Sequence, residues 1–191
     1  MRSAMPFPEF GDAPRRLRGS NVTLRPWSER DLKMLASAFA IPDIAASMRP
    51  PVPVGVRGAR QWVEARRSMP TRHRGASYAI EAGDDGAAIG SVELRARARD
   101  PSAMEVGYWL MPEGRGRGVA REAVDLACRW AFDRTGTTAI MAVIDVANES
   151  SQRVVTALGF DCRERIESND GWIGDWLRFE LAPGGLEQPG R

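Results

Sequence analysis

Chemistry in this chain is concentrated in one stretch, Val106-Gly107-Tyr108-Trp109-Leu110-Met111-Pro112-Glu113-Gly114-Arg115-Gly116-Arg117-Gly118-Val119-Ala120. Alternation up to Met111 predicts a strand, the glycines and arginines a turn, and the residues after Gly118 a helix. That order builds a pyrophosphate cradle. Glycines let main-chain N–H groups approach an anion with no side chain in the way, and the helix presents its positive N-terminus. Arg115, Arg117 and Arg121 add charge around it. Two better-known phosphate motifs fail on the same residues. A Walker loop needs Gly-Lys-Ser/Thr after its glycines, and the dinucleotide fingerprint needs a third glycine or alanine where Arg121 stands. What remains is Arg115-x-x-Gly118-x-Ala120.

Other polar groups stand near this stretch in the predicted order of elements. Asn148 fits as the N-cap of a helix with Ser151 at its third position, a role compatible with catalysis. Glu105 shares a strand face with Gly107 and Trp109, where it is either a proton acceptor or the cross-strand partner of an arginine such as Arg95; Glu93 lies on the adjacent strand. His73, the single histidine, falls in an arginine-rich turn and reads as a surface residue. Trp62, Trp172 and Trp176 are candidates for an acceptor cleft, with core packing as the competing reading.

The elements that must position these groups follow from periodicity and turn chemistry. A first strand over 21–27 ends at Ser28, a plausible N-cap, and a helix runs over 29–40 with Leu32, Leu35 and Phe39 at helical spacing. Residues 41–57 carry four prolines and read as a loop, and a second helix covers 58–69. Strands over 77–82 and 88–95 make a hairpin, joined by a third antiparallel strand over 104–111. A helix from Gly118 to about Arg134 then crosses to a strand over 139–144, a right-handed βαβ unit. A shorter helix over 149–158 ends at Gly159, and strands over 160–167 and 172–181 enclose a turn at 168–171.

A chain of 191 residues with 43% hydrophobic content is long enough for one core and short for two, so a single domain is expected. Residues 1–19 and 183–191, rich in proline, glycine and polar types, are expected as tails on a domain over 20–182. A net charge of +2 does not make the whole molecule a binder of polyanions. Arginine clusters at Arg15 to Arg18, Arg66 to Arg74 and Arg95 to Arg99 read as solvated faces or strand edges. Cys128 and Cys162 give neither a disulfide framework nor metal-ligand spacing, and both are expected as buried thiols. No segment approaches the ~20 apolar residues of a membrane span, so no membrane partner and a cytoplasmic location are expected.

Several motifs together resemble one family. Arg115-x-x-Gly118-x-Ala120 is similar to the Q/R-x-x-G-x-G/A signature of the GCN5-related N-acetyltransferases (GNAT). Glu105 to Leu110 with Pro112-Glu113, the segment from Asn148 through Ser151 and Arg153 to Leu158-Gly159-Phe160, and Arg18-Gly19 to Leu24-Arg25-Pro26 look like its RimJ/RimL branch, which acetylates protein N-termini. The resemblance spans residues 20–182. It implies an α/β (α+β) fold: a mixed, mostly antiparallel sheet of about seven strands with four helices, two strands splaying apart to hold acetyl-CoA.

What the resemblance implies for the site can be placed residue by residue. Pantetheine would fill the splay and pair with backbone near Trp109, Leu110 and Met111. The turn Arg115, Gly116, Arg117, Gly118, Val119, Ala120, Arg121 would hold the pyrophosphate. Asn148 and Arg153 would flank the pantetheine and adenosine arm, while the Ser151 hydroxyl would face the thioester sulfur as general acid. Direct transfer also needs an oxyanion donor, here the Leu110 N–H, and a neutral amine. An α-amine of pKa about 8 costs roughly 1 to 1.5 kcal/mol to deprotonate at pH 7, and a lysine of pKa about 10.4 nearer 5. An N-terminal acceptor therefore needs only a weak base: Glu105, Glu93, water, or an acid of the last hairpin turn, Asp170 or Glu167. Arg121 replaces the branch's small residue after the loop, and the final hairpin is shorter than usual, so a small-molecule amine or an antibiotic stays open as acceptor beside a protein N-terminus.

The expected partner is thus an amine acceptor, with no metal and no nucleic acid, in a monomer or homodimer. A nucleic-acid binder would show a basic stripe with interleaved aromatics, whereas Glu113 and Glu122 flank the Arg-Gly segment. The remaining alternative is a non-catalytic module that senses acetyl-CoA, against which Asn148 and Ser151 together speak.

Overall fold

The computed structural model describes residues 16–47, 53, 55–70, 74–83, 85–97, 100–167 and 174–186. Its strands are β1 (Leu17–Arg18), β2 (Thr23–Arg25), β3 (Gly75–Glu81), β4 (Ala88–Arg97), β5 (Asp100–Leu110), β6 (Ala139–Asp145), β7 (Asp161–Ile166) and β8 (Trp176–Leu181). The α-helices are α1 (Leu32–Ala38), α2 (Pro42–Ser47), α3 (Val56–Arg67), α4 (Val119–Thr135) and α5 (Glu149–Thr156). All the strands join one sheet in the order β1-β2-β3-β4-β5-β6-β8-β7. Every neighbouring pair is antiparallel except β5 and β6, the pair that α4 connects. The mixed, mostly antiparallel sheet matches expectation; eight strands and five α-helices replace the expected seven and four.

Period-2 alternation divides the sheet into two faces. On the first, Val92 and Leu94 of β4, Met104 and Val106 of β5 and Ile140, Ala142 and Ile144 of β6 pack against Val119, Ala123, Val124 and Ala127 of α4 and Val155 of α5. On the second, Ala79 of β3 and Ala88 of β4 meet Leu32, Leu35 and Phe39 beside α1, Ile44 of α2, and Trp62 and Val63 of α3. The second face over β6, β8 and β7 is left partly exposed through Met141, Val143, Trp176 and Arg178.

Three expectations are corrected. The proline-bearing segment expected as loop starts a helix, because Pro42 at the first helical position has its φ preset and lacks only an N–H that would be unsatisfied there anyway. The expected helix over 29–40 opens as a 3-10 turn at Glu29–Asp31, since Asp31 turns its carboxylate back to accept from the Ser28 N–H and hydroxyl, both at 2.9 Å. Cys128 is buried as expected, but Cys162 is exposed, because β7 is the edge strand, with β8 as its single neighbour, and bulges between Cys162 and Glu164. His73, Asp170 and Trp172 lie outside the described residues.

The first strand is anchored by a buried cation. Arg25 is 4% exposed, and its guanidinium donates to both Asp31 oxygens at 2.7 Å and, through Nε, to Glu81. Burial by itself would raise the Asp31 carboxyl, but the Arg25 guanidinium and the Ser28 N–H and hydroxyl outweigh it and hold the group below the ordinary range. The resulting stability is complete above the ordinary carboxylate range of about 4 and is lost as pH falls through the depressed folded value. Replacing Arg25 by Met strands the Asp31 carboxylate in a buried site, and a loss of about 3 to 5 kcal/mol is expected in urea unfolding at neutral pH.

Candidate functional site

The parallel pairing of β5 and β6 is short. Ala103 pairs with Ala139, Met104 with Ile140 and Glu105 with Met141, after which the two strands part. β5 goes on to Leu110 along β4, and β6 goes on to Asp145 along β8, so each keeps one neighbour beside an opening split. Peptide orientation alternates along an antiparallel strand. Met111 N–H donates to Ile89 O of β4 at 2.9 Å, so Val106, Tyr108 and Leu110 turn their peptide groups the other way, into the split. Of Trp109, Leu110 and Met111, the residues expected to meet pantetheine, it is Leu110 whose N–H is aimed there. Its carbonyl accepts from Arg115 Nε at 3.0 Å.

Beyond Leu110 the chain makes a 3-10 turn at Pro112–Gly114 and enters α4 through Gly116 and Gly118, with φ of 75° and 76°. A side chain rarely adopts this left-handed backbone, and a Cβ at either glycine would meet nothing within 4 Å, so open space stands over the turn. Gly118 is the N-cap and has no side chain to cap with, which leaves the first N–H groups of a long helix directed at that space. Glu122, an acid in this first turn that would repel an anion, is drawn aside by Asn21, whose main-chain N–H donates to Oε1 at 2.9 Å and whose Nδ2 donates to Oε2 at 3.4 Å. Arg117 and Arg121 are exposed and make no ion pair among the described residues. A cradle with two free cations and an unfilled helix end fits the pyrophosphate of coenzyme A. The Arg115 guanidinium is engaged by two partners, Asp43 of α2 at 2.8 Å and the Leu110 carbonyl at 3.0 Å.

Across the split stands the first turn of α5. Asn148 accepts from the Ser151 N–H at 3.1 Å and from the Ser150 hydroxyl at 2.8 Å, the capping role that its residue type suggests. Gln152 Nε2 donates to the carbonyls of Asp145 and Val146 at 3.3 and 2.8 Å, fastening the helix to the end of β6. Sequence reading overlooked Tyr108, whose hydroxyl donates to the Ser151 carbonyl at 3.1 Å. The available signal was its place on the apolar face of β5 between Val106 and Leu110, where a phenol needs a partner. Burial pushes the Tyr108 hydroxyl up to about 12, so it is a donor throughout the physiological range. Arg153 is exposed and pairs with Glu149 at 3.2 Å.

The second face carries the acids. Glu105 faces Arg95, its register partner, at 2.6 Å and Arg97 at 3.8 Å, and the buried Glu93 faces Arg66 at 3.0 Å and Arg95 at 3.6 Å. Beside Glu105 a cavity of about 360 Å³ is lined by Arg97, Asp100, Met141, Val143, Glu164 and Arg178 among others. Trp62 belongs to the core: its ring meets Trp27 edge-on at 5.1 Å and Phe39 at 5.6 Å, while Arg66 covers it at 4.4 Å. Trp109 reaches the same cluster, stacked on Trp27 at 6.5 Å. Glu167 is exposed just past β7, and no group of three or more His, Cys, Asp or Glu among the described residues is placed to hold a metal ion. No helix of the described residues is long and apolar enough to cross a membrane.

Residues 21–161 match the model of the acetyltransferase (GNAT) domain family. The chain is 24% identical over 144 residues to the uncharacterized N-acetyltransferase YoaA of Bacillus subtilis, covering 75% of this chain and 81% of that protein. Among solved structures it is similar to Mycobacterium smegmatis RimJ in complex with CoA-disulfide, with a TM-score of 0.75, 20% identity and coverage of 96% and 93% of the two chains. It is also similar to the ribosomal-protein-S5-alanine acetyltransferase of Vibrio fischeri, with a TM-score of 0.75, 21% identity and coverage of 91% and 99%. At these identities the structural likenesses speak for the fold.

The cradle geometry separates the arginines by role. Gly118→Val puts a branched side chain at positive φ over the helix end, and acetyl-CoA binding is expected to disappear in calorimetric titration. Arg117→Gln with Arg121→Gln is expected to weaken acetyl-CoA at least about tenfold at low salt, through lost ion pairing to phosphate, and Arg115→Gln by less.

Proposed function

The chain belongs to the GNAT acetyltransferase family, and on that premise we propose that the amine it acetylates is the α-amine of a protein or peptide N-terminus. It is an acetyl-CoA-dependent N-acetyltransferase. Acetyl-CoA supplies the acetyl group as a thioester with a thiol to leave. The observation that supports a direct transfer is the split itself: the Leu110 N–H on one side, the first turn of α5 on the other, and the cradle at the end of the same strand.

In this reading the glycine turn, Arg117 and Arg121 bind the pyrophosphate, and Leu110 N–H donates to the thioester carbonyl oxygen as negative charge develops there. The amine nitrogen attacks the thioester carbonyl and loses a proton to water as the C–S bond breaks, while the Ser151 hydroxyl, held at the mouth of α5, gives its proton to the departing sulfur and is reprotonated by solvent. The acceptor approaches from the second face, past Glu105 and the neighbouring cavity. Both oxygens of Glu105 face arginines, and so do those of Glu93, so neither carboxylate has an oxygen left free for an incoming amine. An acceptor that is already partly neutral at pH 7 suits such a site, and an α-amine of pKa about 8 is one while a lysine is not. A relative in fold named as a ribosomal-protein-S5-alanine acetyltransferase supports a protein acceptor. A cytoplasmic location is part of the same reading.

Calorimetric titration with acetyl-CoA, with NADH and ATP as controls, tests the donor, and thiol release with peptides tests the acceptor. Peptides with a free α-amine are expected to turn over, and the same peptides blocked at the α-amine but carrying lysine are not. Turnover confined to lysine or to small-molecule amines overturns the acceptor assignment, and binding of acetyl-CoA with no turnover of any amine returns the protein to a sensor. Ser151→Ala is expected to lower kcat about 100-fold while the acetyl-CoA Kd stays within about twofold.

A further inference from the structure

We propose that Tyr108 is a positioning residue for the acetyl transfer: its hydroxyl ties the first turn of α5 to β5 across the split and so sets the distance between Ser151 and the Leu110 N–H. The proposal rests on the reading of Ser151 as the proton donor. Beyond Glu105 no strand pairing holds β5 and β6 together. The acid and the oxyanion donor therefore stand on two elements whose separation the sheet no longer fixes, and a transfer site tolerates little error in that separation.

Tyr108 is suited to close this gap. It stands two residues before Leu110 on β5 and on the same face, and its hydroxyl donates to the main-chain carbonyl of Ser151 at 3.1 Å. Asn148 holds the N–H of the same residue at 3.1 Å, so the Ser151 backbone is gripped at both its donor and its acceptor. Gln152 fixes the helix to β6 alone. The Tyr108 ring packs into the core formed by α4, α5 and the strands, which keeps the tie short and rigid. The tie ends on a main-chain carbonyl, so it leaves the Ser151 hydroxyl unengaged by Tyr108 and acts on where that hydroxyl stands.

A double-mutant cycle on the full chain with acetyl-CoA and an amine acceptor tests this, with melting curves to show that each variant is folded. Tyr108→Phe keeps the ring and removes the hydroxyl. It is expected to lower kcat about fivefold to tenfold, the factor one hydrogen bond carries, with the acetyl-CoA Kd within about twofold. In a Ser151→Ala background the same change is expected to cost nothing further, because the tie has no acid left to place. Equal losses in both backgrounds, an unchanged kcat in Tyr108→Phe, or a loss that falls on acetyl-CoA Kd would each overturn the proposal. Ser151→Ala with wild-type kcat would remove the acid reading itself, and that failure is seen with Tyr108 intact, apart from any failure of the tie. Should Tyr108→Phe melt too low to assay, Gln152→Ala is the control that loosens α5 from β6: a kcat loss there that Ser151→Ala also abolishes supports placement of the turn, and a loss that persists overturns it.

Discussion

The whole site depends on where β5 and β6 stop pairing. Parallel neighbours cannot be joined by a tight turn, so the chain needs α4 to pass from one to the other, and the entry to that helix is where the glycine turn lies. Once the strands diverge, each retains hydrogen bonds on one side only, and the other side of β5 offers peptide groups at Val106, Tyr108 and Leu110. One topological choice thus yields a helix N-terminus for an anion and a strand edge for an extended amide-bearing arm. The two faces of the sheet then separate the tasks: donor chemistry lies with α4 and α5, and the ion-paired acids and the cavity lie opposite.

Much of this organisation could be read from the residues. The Gly/Arg turn after an alternating strand marked the left-handed entry to α4, and the helix-to-strand sequence after it marked the crossover, since both are signalled by local backbone chemistry. Asn148 as a cap and Glu105 as a partner of Arg95 likewise follow from neighbours within one element or one register. Interactions that span elements were not legible. Arg115 is identical in type to Arg117, and nothing in its spacing tells that Asp43 on a helix expected as loop will take it up. The tie from Tyr108 to Ser151 joins residues that are far apart in sequence and needs the fold to bring them within reach. Trp62 reads as core more readily than as a cleft wall, and the edge-on rings of Trp27 and Phe39 decide it for the core. Asp170 and Trp172 stand outside the described residues, so the acid of the last hairpin turn remains a proposal from sequence.

Many of the charged groups among the described residues are paired, and that shapes what the others can do. The buried Arg25 lies between Asp31 and Glu81, Glu93 meets Arg66 of α3, Glu105 meets Arg95 across β4 and β5, and Arg178 lies between Glu164 and Glu180. Arg117 and Arg121 at the head of α4 make no ion pair among the described residues and stand exposed beside the open helix end.

Arg115 has one guanidinium and two claims on it. It presently joins the Leu110 carbonyl at the edge of the donor site to Asp43 on α2, the short helix of the second face. One side chain thus braces the end of β5 against the helix layer of the opposite face, so the edge of the split and α2 are held in one mechanical unit.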